Sequence, residues 1–119
     1  MEKIKAYTDL EQSKKLAEIL PLESADMYWW SSGKRYYIES IDDGDFNERE
    51  GHVRAWSLAA LLDILPNGIV MNKDSQNGRY HFSSKYVRTY VTADNPIDAC
   101  VAMIEKLHEL NLLCYGTNR

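Results

Sequence analysis

Apolar positions recur along this chain with two periods, near 3.6 and near 2, and the switches between them divide it into elements. Thr8-Asp9-Leu10-Glu11 has capping-box spacing, with a hydroxyl for the first turn and a carboxylate three residues on to reach back. Leu10, Leu16, Ala17, Ile19 and Leu20 follow at near-helical spacing until Pro21 stops the run, which predicts a first helix. Met27 to Trp30 is short, aromatic and bounded by Ser-Ser-Gly, so it reads as a strand and turn, and Lys34 to Glu39 reads as the returning strand. Asp42 to Gly51 is polar and aperiodic, a loop. Trp56 to Leu65 predicts a second helix, with Leu58, Leu61, Leu62 and Leu65 as its stripe and Pro66-Asn67-Gly68 as its end. Ile69 to Lys73 and Arg79 to Ser83 flank Asp74 to Gly78, where Asn-Gly favours a hairpin turn. Tyr86 to Thr92 alternates and is rich in β-formers, a further strand. Asn95 or Asp94 caps a third helix that opens on Pro96. Ile97, Cys100, Val101, Ile104, Leu107 and His108 form one face of it, and Asp98, Ala102, Glu105 and Glu109 the other. Leu110 to Cys114 is apolar and is expected to pack down.

The order is α-β-β-α-β-β-β-α. It predicts a single α+β domain, residues 1–119, with three helices packed on one face of an antiparallel sheet. Two stretches, 13–40 and 57–84, look alike. Each gives a helix ending in an acid and Ile-Leu-Pro, then a Met-bearing strand, a Gly-containing turn and an Arg-Tyr pair. Arg35 matches Arg79, Tyr36 matches Tyr80 and Ile38 matches Phe82 in one register, while the prolines match one position off. A duplication and two converging helix–hairpin units both account for this.

Strand parity assigns the faces. Tyr36 with Ile38, and Tyr80 with Phe82, are expected to face the helices, as are Val87, Thr89 and Val91 on the last strand. Arg35, Tyr37, Arg79, His81, Tyr86, Arg88 and Tyr90 then face outward. Of the adjacent Trp29 and Trp30, one is expected to be buried and the other exposed or covered by the acidic loop; both buried is the alternative. The candidate surface is Trp29, Arg35, Tyr37, Arg79, His81, Tyr86, Arg88 and Tyr90. Tyr, Trp and Arg dominate protein interfaces, so this set suits a protein partner, a second copy of the chain included. Rings that stack on bases beside Arg also suit single-stranded nucleic acid, and an ordinary sheet face carrying β-forming Tyr and Thr is a third account. A one-residue slip in register would reverse the faces.

Composition narrows the classes. At 119 residues, 45% hydrophobic and 27% charged, the chain can form a core without a staple. Eight Tyr, three Trp and two Phe are concentrated on the predicted strands. The net charge of −4 argues against non-specific duplex DNA binding, which depends on neutralising phosphates. The charge is uneven: from Glu39 to Glu50 six acids stand against Arg49 alone, whereas Gln76 to Ala93 carries no acid. No apolar run is long enough to span a bilayer, and Met1 to Tyr7 lacks a signal peptide's apolar stretch, so a cytoplasmic location and no membrane partner are expected. Cys100 and Cys114 read as small, reduced apolar residues.

Catalytic chemistry has no signature. The acidic loop fails the EF-hand ladder, because Gly44 at its sixth position puts Ile41 at the third. His52, His81 and His108 do not cluster, and no metal spacing, nucleophile elbow or phosphate loop occurs. No metal and no cofactor are therefore expected, and the function expected is non-enzymatic binding. An enzyme of unrecognised type would instead need a concave pocket holding several acids with His52 or His81.

Phrases along the chain carry one resemblance: Tyr7-Thr8-Asp9-Leu10, Ser13-Lys14-Lys15-Leu16-Ala17, Ile19-Leu20-Pro21, Ala25-Asp26-Met27-Tyr28, Ala55-Trp56-Ser57-Leu58 and Asn95-Pro96-Ile97-Asp98-Ala99-Cys100. Together they resemble small proteins of prophages and other mobile elements of gut Bacteroides-type bacteria, over most of the chain outside 39–54. The resemblance implies a bacterial, cytosolic, mobile-element setting. That family has no assigned activity, so no residue's role comes across with it.

Overall fold

The computed structural model describes residues 5–42, 51–84 and 89–113. Helix α1, Leu10–Ile19, is capped one residue later than the sequence suggests. Asp9 Oδ1 accepts from Gln12 N (2.8 Å) and Gln12 Oε1 accepts from Asp9 N (3.1 Å), so the reciprocal box is Asp9 with Gln12 rather than Thr8 with Glu11. A single 3₁₀ turn, Leu22–Ser24, follows Pro21. Strands β1 (Met27–Ser32) and β2 (Arg35–Ser40) form a hairpin closed by Gly33-Lys34, with Gly33 at φ +65° as the first central residue of the turn. Strand β3 (Val53–Ala55) is short, lies where no strand was predicted, and pairs with the free side of β1.

Helix α2 is Leu58–Ile64 with Ser57 as its cap, shorter than predicted because Trp56 lies outside it. Strands β4 (Ile69–Lys73), β5 (Tyr80–Ser84) and β6 (Tyr90–Ala93) form an antiparallel meander. Helix α3, Pro96–Glu109, starts as expected on an Asn95 cap with Pro96 at its first position. Its end is set by Asn111 at φ +57°, with Leu112 N donating to Leu107 O and Asn111 N to His108 O, a Schellman closure. The turn only partly brings the following segment down: Leu113 packs on the core, while Leu110 and Leu112 stay exposed.

The class is α+β, with three α-helices among the described residues. The strands make two three-stranded antiparallel sheets rather than one, in the orders β2-β1-β3 and β4-β5-β6. The two helix–hairpin units are therefore completed differently. The third strand joins the first strand of one hairpin and the second strand of the other. Helix α3 packs against β5, β6, α1 and α2, and α1 packs against β3. One core joins them: Leu16, Leu20, Trp56, Leu61, Phe82, Ile97, Cys100, Met103, Ile104 and Leu107 are all buried in it. His108, expected on the apolar face, is exposed, since the stripe leaves the core at the last turn. Among the described residues no helix is long and apolar enough to cross a membrane.

Polar bonds fix how the elements meet. Residues 6–8 run antiparallel to the link between β3 and α2. Thr8 N donates to Trp56 O (3.0 Å), and Trp56 N donates to Thr8 Oγ1 (3.1 Å). The same hydroxyl lies 2.7 Å from Ser13 Oγ, and Thr8 O accepts from Trp29 Nε1 (3.0 Å). Thr8, Ser13 and Trp56 are each fully buried, so these groups have no water to fall back on. Lys5 Nζ joins Asp98 (2.8 Å) and Asp9 (3.0 Å), tying the start of α1 to the start of α3. Gln12 and Asn95 also donate to Asp98.

Thr8→Val keeps the shape but leaves a buried N–H without its acceptor, so it is expected to cost about 2 kcal/mol. Thr8→Ser retains the hydroxyl and is expected to cost about 1 kcal/mol, for one buried methyl. Urea unfolding of the three proteins at constant m-value measures both.

Burial works against the charges of Asp98, Asp9 and Lys5, but hydrogen bonds prevail: those of the Gln12 amide and Lys5 to Asp9, and those of Lys5, Gln12 and Asn95 to Asp98. The two carboxyls are held below their ordinary value and the Lys5 ammonium above its own. The carboxylates' contribution is present above a pH of about 4 and is lost as pH falls through their lower folded values. The Lys5 contribution is present below a pH of about 10.4 and is lost as pH rises through its higher folded value. All three are partly solvated, so at most about 1 kcal/mol is at stake. Asp98→Asn is expected to flatten the acid limb of stability against pH, measured by urea midpoints between pH about 3 and about 7.

Candidate functional site

The first hairpin carries its rings on both faces. Opposite residues on paired strands share a face, so Tyr28 with Glu39, Trp30 with Tyr37 and Ser32 with Arg35 lie on one side. Trp29 with Ile38 and Ser31 with Tyr36 lie on the other. Trp30 and Tyr37 stack with centroids 4.7 Å apart and planes at 27°. Tyr28 is buried, stacks on His52 at 5.1 Å and donates to Glu39 Oε2 (2.9 Å). Trp29 meets Tyr7 edge-on at 5.7 Å and donates to Thr8 O. Both tryptophans are half-buried, so neither the buried-and-exposed pair nor the fully buried pair occurs. The Trp30 Nε1 atom is buried and has no hydrogen-bond partner among the described residues.

From Ser31 to Tyr37 every residue is exposed. Tyr36 shares a face with Ile38 but is not buried against the helices as expected: its relative exposure is 53%, above that of Tyr37. It stands opposite Ser31 near the turn, where the hairpin has run past the packing that shelters Trp29 and Ile38. Tyr37, outward as expected, keeps 40% exposure beside Trp30. Of the expected set, Arg35 and Tyr37 thus share a face, and Trp29 lies on the opposite one.

The second sheet follows the expected parity through its described residues. Phe82 is buried and Tyr80 and Val91 pack on the core, while His81 pairs with Thr92, and Ser83 with Tyr90, on the outer face. Among the described residues Tyr90 is the most exposed large apolar side chain, at 69%. Arg79 is engaged: Nη1 donates to Asp94 (2.7 Å) and Nη2 to Thr92 Oγ1 (3.2 Å). His81 lies 3.7 Å from Asp74. The carboxyl of Asp74 is held below its ordinary value, first by the donated N–H of Gln76 and then by Asn77 and His81. These bonds order the loop that leads to Gly78 at φ +71°. Tyr86, Arg88, Val87 and Cys114 lie outside the described residues, as does most of the acidic loop (43–50).

The expected surface is accordingly divided between two sheets: Arg35 and Tyr37 on one, Arg79, His81 and Tyr90 on the other. Sequence reasoning left Trp30, Tyr36 and Glu39 out of the candidate surface, with Tyr36 assigned to the helix side. Pairing β1 with β2 across the Gly33 turn would have placed Trp30 against Tyr37.

A shallow depression of about 360 Å³ is lined by Lys14, Ala17, Leu22, His52, Val53 and Arg54. This lining brings cations to His52 and no carboxylate, unlike the acid-bearing pocket that catalysis was expected to need. Among the described residues no three His, Cys, Asp or Glu side chains group as a metal site. Comparison with protein-family models, with curated proteins and with solved structures finds no match to the chain.

Cys100 is fully buried on α3, and burial pushes its thiol up to about 12. A thiol with that pKa carries almost no thiolate at neutral pH. In a Cys114→Ser background, Cys100 is expected to react with an aromatic disulfide reagent only as fast as the protein opens. Adding urea below the transition should raise the rate, and fast labelling in native buffer would contradict the assignment.

Proposed function

We propose that this chain is a non-enzymatic binding protein that recognises another polypeptide through the β1–β2 hairpin. One observation supports this above the rest. Among the described residues strand β2 is the edge of its sheet, and its Arg35, Tyr36 and Tyr37 are exposed in sequence, with a ring on each face. An edge strand offers unpaired backbone donors and acceptors to an added strand, and flanking rings supply apolar contact. The stacked Trp30 and Tyr37 give that contact a rigid base at little cost in side-chain entropy. The mobile-element setting implied by the sequence resemblance suits an accessory role of this kind.

The outer face of the second sheet supports a single-stranded nucleic-acid reading less well. The guanidinium of Arg79 is already committed to Asp94 and Thr92, and Asp74 stands beside His81. Phosphate binding there would have to displace a carboxylate first.

A display library of extended peptides tests the reading. Selected peptides are expected to lose at least about tenfold in affinity for Tyr36→Ser/Tyr37→Ser, the size of effect seen when an aromatic anchor is removed, and to be indifferent to Tyr90→Ser. Failure to select any hairpin-dependent peptide would overturn it. So would tight, salt-sensitive binding of a mixed oligonucleotide that is lost in Tyr90→Ser.

A further inference from the structure

We infer that the partner of the β2 edge is a second copy of this chain, joined by antiparallel β2–β2 pairing about a two-fold axis at Tyr37. This rests on the hairpin reading above and names its occupant.

Backbone direction restricts the register. In a two-residue hairpin turn the residue after the loop donates back across it, so the N–H of Arg35 points at β1. Directions alternate along a strand, so Tyr37, Glu39 and residue 41 also point at β1. The observed bond from Ile41 N to Asp26 O confirms that phase. The groups of Tyr36 and Ile38 therefore point outward from the edge, and no described strand pairs with them. Two such edges can join only in registers that set outward residues opposite outward residues.

Charge then selects among these registers. With the axis at Tyr37, Tyr36 of each copy faces Ile38 of the other, and the two pairs exchange four backbone hydrogen bonds. Tyr37 meets its own symmetry mate. Arg35 of each copy stands opposite Glu39 of the other, at both ends of the interface and on the face that carries Trp30 and Tyr37. Moving the axis to Tyr36 sets Arg35 opposite Tyr37 and Glu39 opposite the Gly33 turn. Moving it to Ile38 sets Tyr37 opposite Glu39 and Arg35 beyond the strand. Only the Tyr37 axis pairs both charges. Arg35 has no ion-pair partner within its own chain among the described residues, while the Glu39 carboxylate is already oriented by the Tyr28 hydroxyl. The same axis covers both exposed tyrosines and gives a continuous six-stranded sheet, β3-β1-β2 followed by its symmetry mate.

The full chain is expected to be a reversible dimer by sedimentation equilibrium at concentrations up to about 1 mM, in keeping with a small interface. Arg35→Glu or Glu39→Arg alone places like charges opposite each other at both ends and should weaken the dimer about tenfold or more. The double variant Arg35→Glu/Glu39→Arg should restore it. In a Cys114→Ser background, Tyr37→Cys should form an intermolecular disulfide readily, because directly opposite Cα atoms outside the hydrogen-bonded pairs lie within disulfide reach. Tyr36→Cys should not, because its symmetry mate is two residues away along the strand. A monomer throughout that range, a dimer unmoved by the single charge changes, or crosslinking at 36 in preference to 37 each overturns the inference. A monomer that still takes hairpin-dependent peptides would sink this inference and leave the polypeptide-binding reading standing. A monomer that takes none would sink both.

Discussion

Thr8 spends every polar group it has on parts of the chain that are distant in sequence. Its amide and hydroxyl grip the backbone of Trp56, its carbonyl holds the indole of Trp29, and its hydroxyl meets Ser13 in the first turns of α1. Thr8, Ser13 and Trp56 are out of contact with water, where a missing partner costs far more than a made bond contributes. Trp56 is pinned at its other end too, its indole N–H donating to Ser24 Oγ (2.9 Å). Asp26, beside the start of β1, holds the amide of Ser57, the residue that caps α2. The entry to α1, the base of the β1–β2 hairpin and the entry to α2 are thus fixed with respect to one another before any apolar packing is counted.

That clamp acts on the base of the first hairpin and leaves its far end alone. Trp29 and Tyr28 are near the base and find partners inside the molecule. Toward the turn, from Ser31 to Tyr37, the side chains are exposed. Tyr28, though buried, is not a member of the main core, which draws instead on Trp56, Phe82 and the inner face of α3. Cross-strand stacking of Trp30 on Tyr37 is the local substitute for a core, and contributes on the order of 1 kcal/mol.

Much of the architecture was legible from periodicity and punctuation. Helix α3 was clearest, because Asn95-Pro96 and the run from Ile97 to Leu107 agree on cap, phase and face. Both hairpins were marked by glycine turns and β-forming strands. What was missed has physical causes. Thr8 and Asp9 are both competent caps, and the choice between them was made by Trp56, which claims the threonine from the other side of the fold. Val53–Ala55 is too short to show a period, and it becomes a strand only because β1 offers an edge. The division into two sheets depends on which edge each third strand joins, and alternation along a strand carries no information about that. The candidate surface shares this limit. The parity of Arg35, Tyr37, Arg79, His81 and Tyr90 was readable, but parity fixes a side, whereas exposure depends on how far the covering helices reach.

The separation between clamp and tip has a consequence for how such a chain changes over generations. Substitutions at Arg35 or Tyr36 touch no member of the core and break no bond of the Thr8–Trp56 cluster, so selection can act on them with little penalty in stability, whereas a change at Tyr37 also gives up its stack on Trp30. A lineage can therefore alter what its hairpin grips while inheriting the body unchanged. Thr8, Ser24, Asp26 and Trp56 have no such freedom, since each is answerable to a partner elsewhere in the fold. Drift in this protein should be fast at one end of a hairpin and slow at the other.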